Sequence, residues 1–344
     1  MTDESRQNTI NWYRSPVERD TLRALSRPSD LVGLFQTLGY LGLLALTGGT
    51  AWYAAGRWPW AVVVLLLFVH GTFFAFMING FHELVHDTVF RTRWLNRAFL
   101  WVFSFLGWHN HIFFWSSHTE HHKYTLHPPA DLEVVLPHIL TVRQYLTRAF
   151  VDVLGPYGTI KAYVRQALGK VDGEWGNNLF PESKPVLCRK LRNWARILLV
   201  GHASIIGVSI YMQWWMLPIV MTFARFYGMW LFLLCNNTQH MGLSDNVPDF
   251  RLCCRTIILN PFTRFLYWHM NYHTEHHMYA AVPCYNLGKL HKLIKHDLPH
   301  CPRGLIETWR QIAGIRKKQK IDPEYQYVAE LPSTGAAAAL PDAS

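Results

Sequence analysis

Apolar residues gather in two long stretches near the start of the chain and two more in its second half. Residues 31–55 carry no charged side chain, and residues 59–81 have no acidic residue, lysine or arginine; a five-residue turn joins them. The second pair comprises 195–216 and 217–235. About 20 helical residues cross a hydrocarbon core, so each stretch is long enough to span a membrane. The pattern therefore predicts four transmembrane helices in two hairpins.

The polar segments between and around these stretches carry most of the positive charge. They are an N-terminal segment (1–30), two parts of a predicted cap (82–194 and 236–327) and a predicted disordered tail (328–344). These segments hold 30 of the 33 Lys and Arg residues, and basic residues favour the cytoplasmic side. We therefore expect both termini and the cap to be cytoplasmic, in a bacterial inner membrane or the endoplasmic reticulum.

Composition agrees with a membrane domain, residues 31–327, that has a large polar part. Charged residues are only 16% of the chain, whereas soluble proteins have about 25%. The net charge of +10 suits a face against an anionic leaflet, and no nucleic-acid recognition module is visible. The six cysteines form no C-x-x-C pair, which indicates reduced thiols rather than a disulfide framework.

Histidines form three short clusters, all in the predicted cap. HELVH occupies 82–86, and the pentapeptide HTEHH occurs twice, at 118–122 and 273–277. On a helix, residues three and four apart share one face, so each cluster would present its imidazoles together. The eight candidate metal ligands are His82, His86, His118, His121, His122, His273, His276 and His277.

Eight imidazoles exceed what one metal ion takes, since a structural zinc binds four ligands and a catalytic zinc three. The clusters therefore indicate two metal ions of a kind that imidazole binds, such as iron, zinc or copper. One alternative is a membrane zinc metalloprotease, in which HELVH binds zinc and Glu83 is the general base. That reading leaves both HTEHH clusters unused. A metal storage or transport protein would instead need its ligands within the spans.

The three clusters, placed around two hairpins, resemble the histidine boxes of the membrane fatty acid desaturase and hydroxylase superfamily, from about residue 30 to 300. The resemblance implies an all-α integral membrane fold, with four transmembrane helices and a cytosolic helical cap that holds a di-metal site. It also implies that His240 of NNTQH is a ninth ligand and that Asn236 binds through water. HHMYAAVPCYNL departs from the superfamily pattern, because alanine replaces its first proline.

The resemblance implies two non-haem iron ions and O2 as co-substrate. The expected reaction is desaturation of a fatty acyl or other lipid-like chain. Hydroxylation of a lipid, carotenoid or small amphiphilic metabolite by the same ligand set is the alternative. Electrons would come from a separate ferredoxin, rubredoxin or cytochrome b5 type of donor. The acidic residues beside the ligands, Glu83, Asp87, Glu120 and Glu275, are either partners of the imidazoles or solvated charges.

Overall fold

The computed structural model describes residues 9–332, and this part of the chain is helical. It contains no β-strand, only four isolated bridges. The predicted tail lies mostly outside the described residues, and residues 328–332 take no regular structure. In chain order the α-helices are α1 (Arg19–Leu25), α2 (Asp30–Ala54), α3 (Trp60–Phe74), α4 (Met77–Val85), α5 (Arg93–Leu106), α6 (His111–Tyr124), α7 (Val142–Ala149), α8 (Gly155–Ala167), α9 (Gly173–Leu179), α10 (Pro185–Met212), α11 (Met216–Val220), α12 (Trp230–Asn236), α13 (Phe250–Cys253), α14 (Pro261–Leu266), α15 (His273–Met278), α16 (Cys284–Ile294) and α17 (Gly304–Gln319).

The described chain divides into two compact units. The span unit contains residues 30–119 and 140–234. The C-terminal unit contains residues 9–29, 120–139 and 235–332 of the described chain.

Three stretches of the span unit are long and apolar enough to cross a membrane: α2, the Trp60–Val85 stretch of α3 and α4, and α10. They match the predictions for 31–55, 59–81 and 195–216, and they indicate a membrane protein. The third begins at Pro185 rather than at residue 195. Proline fits the first helical turn, where its missing N–H would have no intrahelical partner.

The predicted fourth span, 217–235, is not one continuous helix. It consists of α11, a 3-10 turn at Ala224–Phe226 and most of α12. Gly228 interrupts it with a φ of +72°, and a Cβ there would lie 2.5 Å from the backbone nitrogen of Thr72. Only glycine takes this conformation and this close approach without strain. The count of four spans therefore remains a prediction.

Arg225, which the sequence positions in the middle of that predicted span, points into the span unit. Its guanidinium donates to the backbone oxygens of Gly107 and Trp108, at 2.7 and 2.9 Å. These oxygens follow the last turn of α5, where helix carbonyls lack intrahelical partners. Arg225 thus caps α5 and is kept away from lipid, which is the interior position that its charge requires.

The C-terminal unit is organised around α15, all six residues of which are buried. The neighbouring α16 turns Leu287, Leu290 and Ile294 inward, and all three are fully buried. Aromatic residues complete this core, with Trp268 among the largest wholly buried side chains of the described chain. A short helix that carries three histidines is therefore fully buried within this unit.

Candidate metal centre

The span unit holds three of the predicted ligands in one group. His82 lies in the last turn of α4, His86 directly follows that helix, and His118 comes from α6. Their ring centroids are 4.4 to 5.2 Å apart. Burial, together with neighbouring His82 and against the opposing effect of Glu83, lowers the pKa of His86 to about 3. His86 is therefore neutral at physiological pH, as a metal ligand must be.

The C-terminal unit holds the other predicted histidines. α15 supplies the whole third box, the end of α6 supplies His121 and His122, and a turn after α12 supplies His240. The Nε2 atom of His273 lies 2.9 Å from Nε2 of His240 and 3.2 Å from Nε2 of His277. A second close pair joins Nε2 of His122 and Nε2 of His276 at 3.1 Å.

Hydrogen bonds fix which nitrogen carries the proton in two of these rings. Nδ1 of His240 is 2.8 Å from the backbone oxygen of Cys253, which can only accept, so this Nδ1 carries hydrogen. Nδ1 of His277 faces the Thr125 hydroxyl, which already donates to the backbone oxygen of His121, so this Nδ1 also donates. In the neutral rings, both Nε2 atoms therefore present lone pairs towards His273.

This donor set fits a metal ion. The lone pairs on Nε2 of His240 and His277 both point at Nε2 of His273. A hydrogen on that nitrogen could form a good hydrogen bond with only one of them. A cation among the three would satisfy all of them. Metal–imidazole bonds of about 2.0–2.1 Å put neighbouring ligand nitrogens roughly 3.0–3.4 Å apart, close to the separations of 2.9 and 3.2 Å found here. Nitrogen donors of this kind suit iron, zinc or copper.

Burial keeps two imidazoles of this group uncharged. Together with the charges of nearby histidines, it lowers the pKa of His240 to about 3 and that of His277 well below its usual value. Burial also acts against protonation of His121. There a hydrogen bond and the charge of Asp131 outweigh burial and raise the pKa. The two side chains lie 2.8 Å apart, with Nδ1 of His121 against Oδ2 of Asp131.

Of the four acidic residues beside the boxes, two are buried and two are not. Glu83 is fully buried and lies 3.1 Å from Nδ1 of His82. Glu275 is also fully buried, and its carboxylate accepts from Thr256 and, at 2.5 Å, from Nδ1 of His291. Asp87 is exposed, and Glu120 forms an ion pair with Lys123 at the surface.

The structure therefore groups every predicted histidine within one unit or the other. Three box histidines lie in the span unit, and five lie in the C-terminal unit, where His240 joins them. Asn236 ends α12, one helical turn before His240, and its amide makes no hydrogen bond with another described residue. The role of all ten residues as metal ligands remains a prediction.

Sequence reasoning missed several neighbours of the predicted ligands. The Cys254 thiol lies within 4.8 Å of the donor atoms of His240, His273 and His277, and burial raises its pKa well above the usual value. Asp131, which contacts His121, was missed as well, and so was His291, which contacts Glu275 between the ligands of the third box. None belongs to a box, and no spacing in the sequence links them to the ligands, so only the fold reveals them.

A comparison with protein-family models gives one match, to the fatty acid desaturase family, over residues 57–309. The matched region includes all three boxes and His240, and it covers well over half of the chain. The chain therefore belongs to the fatty acid desaturase family, whose members are oxidoreductases. No match was found among curated proteins.

Proposed function

We propose that this member of the fatty acid desaturase family is an O2-dependent membrane desaturase that introduces a double bond into a fatty acyl or other lipid-like chain. The observation that carries the proposal is the convergence of ring nitrogens in His240, His273 and His277, two of them with lone pairs fixed by hydrogen bonds. Such a donor set suits a redox metal, and family membership supports iron as that metal.

Two iron ions would be held by the nine histidines, His82, His86, His118, His121, His122, His240, His273, His276 and His277, with Asn236 contributing through water. Bound there, two iron ions would supply the O2 activation needed to remove hydrogen from an unactivated C–H bond. Overall, the substrate would lose one hydrogen from each of two neighbouring carbons, and O2, two electrons and two protons supplied from outside would give the alkene and two water molecules.

The protein's own contribution is to hold the imidazoles in one orientation and one protonation state. The Cys253 carbonyl and the Thr125 hydroxyl bind Nδ1 of His240 and His277, and Asp131 binds Nδ1 of His121. Outer partners of this kind fix the tautomer and make the ligand more basic. Burial of the third box in apolar packing also restricts water, which protects reactive species from side reactions.

A membrane-resident chain is the substrate class that the apolar helices favour, because lipids partition where these helices lie. The alternative is a hydroxylase of the same superfamily that acts on a lipid, carotenoid or small amphiphilic metabolite. The same ligands serve both reactions. The family to which the chain belongs makes desaturation the better supported of the two.

The proposal includes four membrane crossings, a cytosolic cap and cytoplasmic termini. An even number of crossings is needed to keep 30 of the 33 basic residues on one side. The interrupted segment 217–235 would then supply the fourth. A separate ferredoxin, rubredoxin or cytochrome b5 type of protein would supply the electrons, and a basic cap would attract an acidic donor.

A membrane zinc metalloprotease that uses HELVH is the distant alternative. Glu83, the general base in that reading, is fully buried beside His82. The hypothesis assigns no role to the six histidines gathered in the C-terminal unit. Metal content separates the two, because the protease needs one zinc ion per chain and the desaturase needs two iron ions.

The decisive experiment measures metal content together with O2-dependent lipid products in membranes that contain the full chain. We expect two irons per chain and a lipid lighter by two hydrogens. A lipid heavier by one oxygen would establish the hydroxylase. One zinc without iron, or undiminished product from the double variant His121→Ala, His276→Ala, would refute the di-iron proposal.

A further inference from the structure

A cavity of about 240 Å³ lies between α4, α5 and α6 in the span unit. Half of its ten lining residues are apolar, namely Leu84, Val85, Leu100, Ile112 and Trp115. Pockets that enclose whole drug-sized ligands measure roughly 300–1,000 Å³, so this cavity is suited to one end of a longer molecule.

Two arginines on α5 give the cavity a positive rim. Arg93 and Arg97 are four residues apart and therefore lie on the same face of the helix, one turn from each other. Both are exposed, and within the described chain neither takes part in an ion pair or hydrogen bond. The lining contains one acidic residue, Asp87. The rim thus offers two unpaired guanidinium groups, which bind carboxylate and phosphate oxygens well.

Two buried polar atoms in residues that line the cavity also lack a hydrogen-bond partner among the described residues. They are Oδ1 of Asn96 and Nδ1 of His111. Asn96 is held in place because its amide nitrogen donates to the Leu84 backbone oxygen at 2.6 Å. Buried polar atoms are almost always hydrogen-bonded, so these two are exceptions within the cavity wall, and neither atom is exposed to the cavity interior.

The cavity is next to the first histidine box. Leu84 and Val85, which form part of its wall, lie between His82 and His86 in the sequence. Trp115, on another wall, meets the His86 ring edge-on with the ring centroids 6.4 Å apart. A molecule bound in the cavity would therefore touch the residues that position two of the predicted ligands.

We propose that this cavity binds the head-group end of a single-chain anionic amphiphile. Arg93 and Arg97 bind its carboxylate or phosphate, and the apolar walls take the adjoining part of the hydrocarbon chain. The further step, that this amphiphile is the substrate, rests on the proposed function. The binding itself does not depend on iron or on catalysis.

The test compares two ligands that share a chain and differ in charge. Radiolabelled oleate and oleyl alcohol are bound to the full chain in phosphatidylcholine nanodiscs, and the signal of protein-free nanodiscs is subtracted. The variant Arg93→Gln, Arg97→Gln removes the positive rim. The matched control Arg143→Gln, Arg148→Gln removes the same charge from exposed positions on α7. The variant Leu100→Trp fills the cavity.

We expect the unmodified chain and the α7 control to bind oleate at least about tenfold more tightly than oleyl alcohol, because hydrogen bonds to charged groups contribute that much. The Arg93, Arg97 glutamine variant should lose this preference, and Leu100→Trp should weaken binding of both ligands. An Arg93→Lys, Arg97→Lys variant, which keeps the charge, should retain most of the preference.

Three results would overturn the proposal. The first is equal affinity of the unmodified chain for oleate and oleyl alcohol. The second is an equal loss of oleate binding in the α7 control, which would make the effect one of general charge. The third is displacement of oleate by millimolar inorganic phosphate to the same degree in the unmodified chain and in the cavity-filling variant Leu100→Trp, because the apolar walls would then play no part in binding. That result would make the site one for a free anion. Oleate binding by a full chain that takes up no iron and forms no lipid product would leave this proposal standing and refute the di-iron proposal alone.

Discussion

The pentapeptide HTEHH occurs twice in this chain, and its two copies lie in different surroundings. In the copy at 118–122, Glu120 is partly exposed and forms an ion pair with Lys123. In the copy at 273–277, Glu275 is fully buried and accepts hydrogen bonds from Thr256 and His291. The repeat therefore fixes the spacing of the imidazoles, whereas the fold decides what the glutamate between them does.

The difference extends to the residues that hold the rings. The ring of His121 in the second box is held by Asp131, ten residues further along the chain. The ring of His277 in the third box is held by the Thr125 hydroxyl. Both copies thus depend on partners outside the pentapeptide, and the partners differ in charge. Substitutions in the two copies should separate what the copies share from what they do not.

The largest expected effect is one that the two boxes share. We expect His121→Ala and His277→Ala each to lower the iron content and to reduce product formation more than 100-fold. Loss of a residue that only hydrogen-bonds a ligand costs roughly 10–100-fold, and loss of the ligand itself should cost more. His300→Ala is the control, because His300 is exposed and contacts Glu307 at the surface. Iron is measured by mass spectrometry of the purified chain. Full iron and full activity in either variant would remove that residue from the ligand set.

The next effect distinguishes the boxes. Glu275→Gln should reduce iron affinity or activity by several tens of times, because it leaves a buried donor unsatisfied beside the third box, at a cost of about 1–3 kcal/mol. A carboxylate accepts from both Thr256 and His291, whereas a glutamine offers one oxygen and turns its NH2 group towards the other donor. The matched Glu120→Gln should change both quantities less than about twofold, since exposed ion pairs contribute little. Equal losses in the two variants would mean that burial does not distinguish the glutamates.

A smaller loss, about tenfold, is expected for Asp131→Asn. The Oδ2 atom of Asp131 accepts from Nδ1 of His121 and from the Leu126 N–H, and its Oδ1 atom accepts from the Glu133 N–H. If the asparagine oxygen takes the place of Oδ2, it keeps the hydrogen bonds from His121 and Leu126. The variant then loses only the hydrogen bond from the Glu133 N–H, together with the negative charge. The measurement is iron retained after dialysis against a chelator, with Asp87→Asn, at an exposed position, as the control. Retention equal to that control would show that the His121 ring is held without Asp131.

Much of this architecture could be predicted from the sequence because its signals are local. Apolar length predicted the three stretches that could cross a membrane, and spacing predicted that box histidines share a helix face. The break in 217–235 was not predictable, because Gly228 is required by its approach to Thr72, which is distant in the sequence. Cys254 and Asp131 were missed for the same reason, since each reaches the histidines only through tertiary packing.

The smallest expected effect concerns the threonines of the two boxes and is one of stability. Thr274 is buried, so Thr274→Ala should leave a small cavity and lower the unfolding midpoint by about 2 °C. Thr119→Ala should leave the midpoint within about 1 °C, because the hydrogen bond from the Thr119 hydroxyl to the Trp115 carbonyl is exposed and alanine favours the helix. Thermal unfolding of both variants in one detergent checks this. An equal shift would mean that the two copies of HTEHH are equally well packed, and the contrast between them would then be limited to their glutamates.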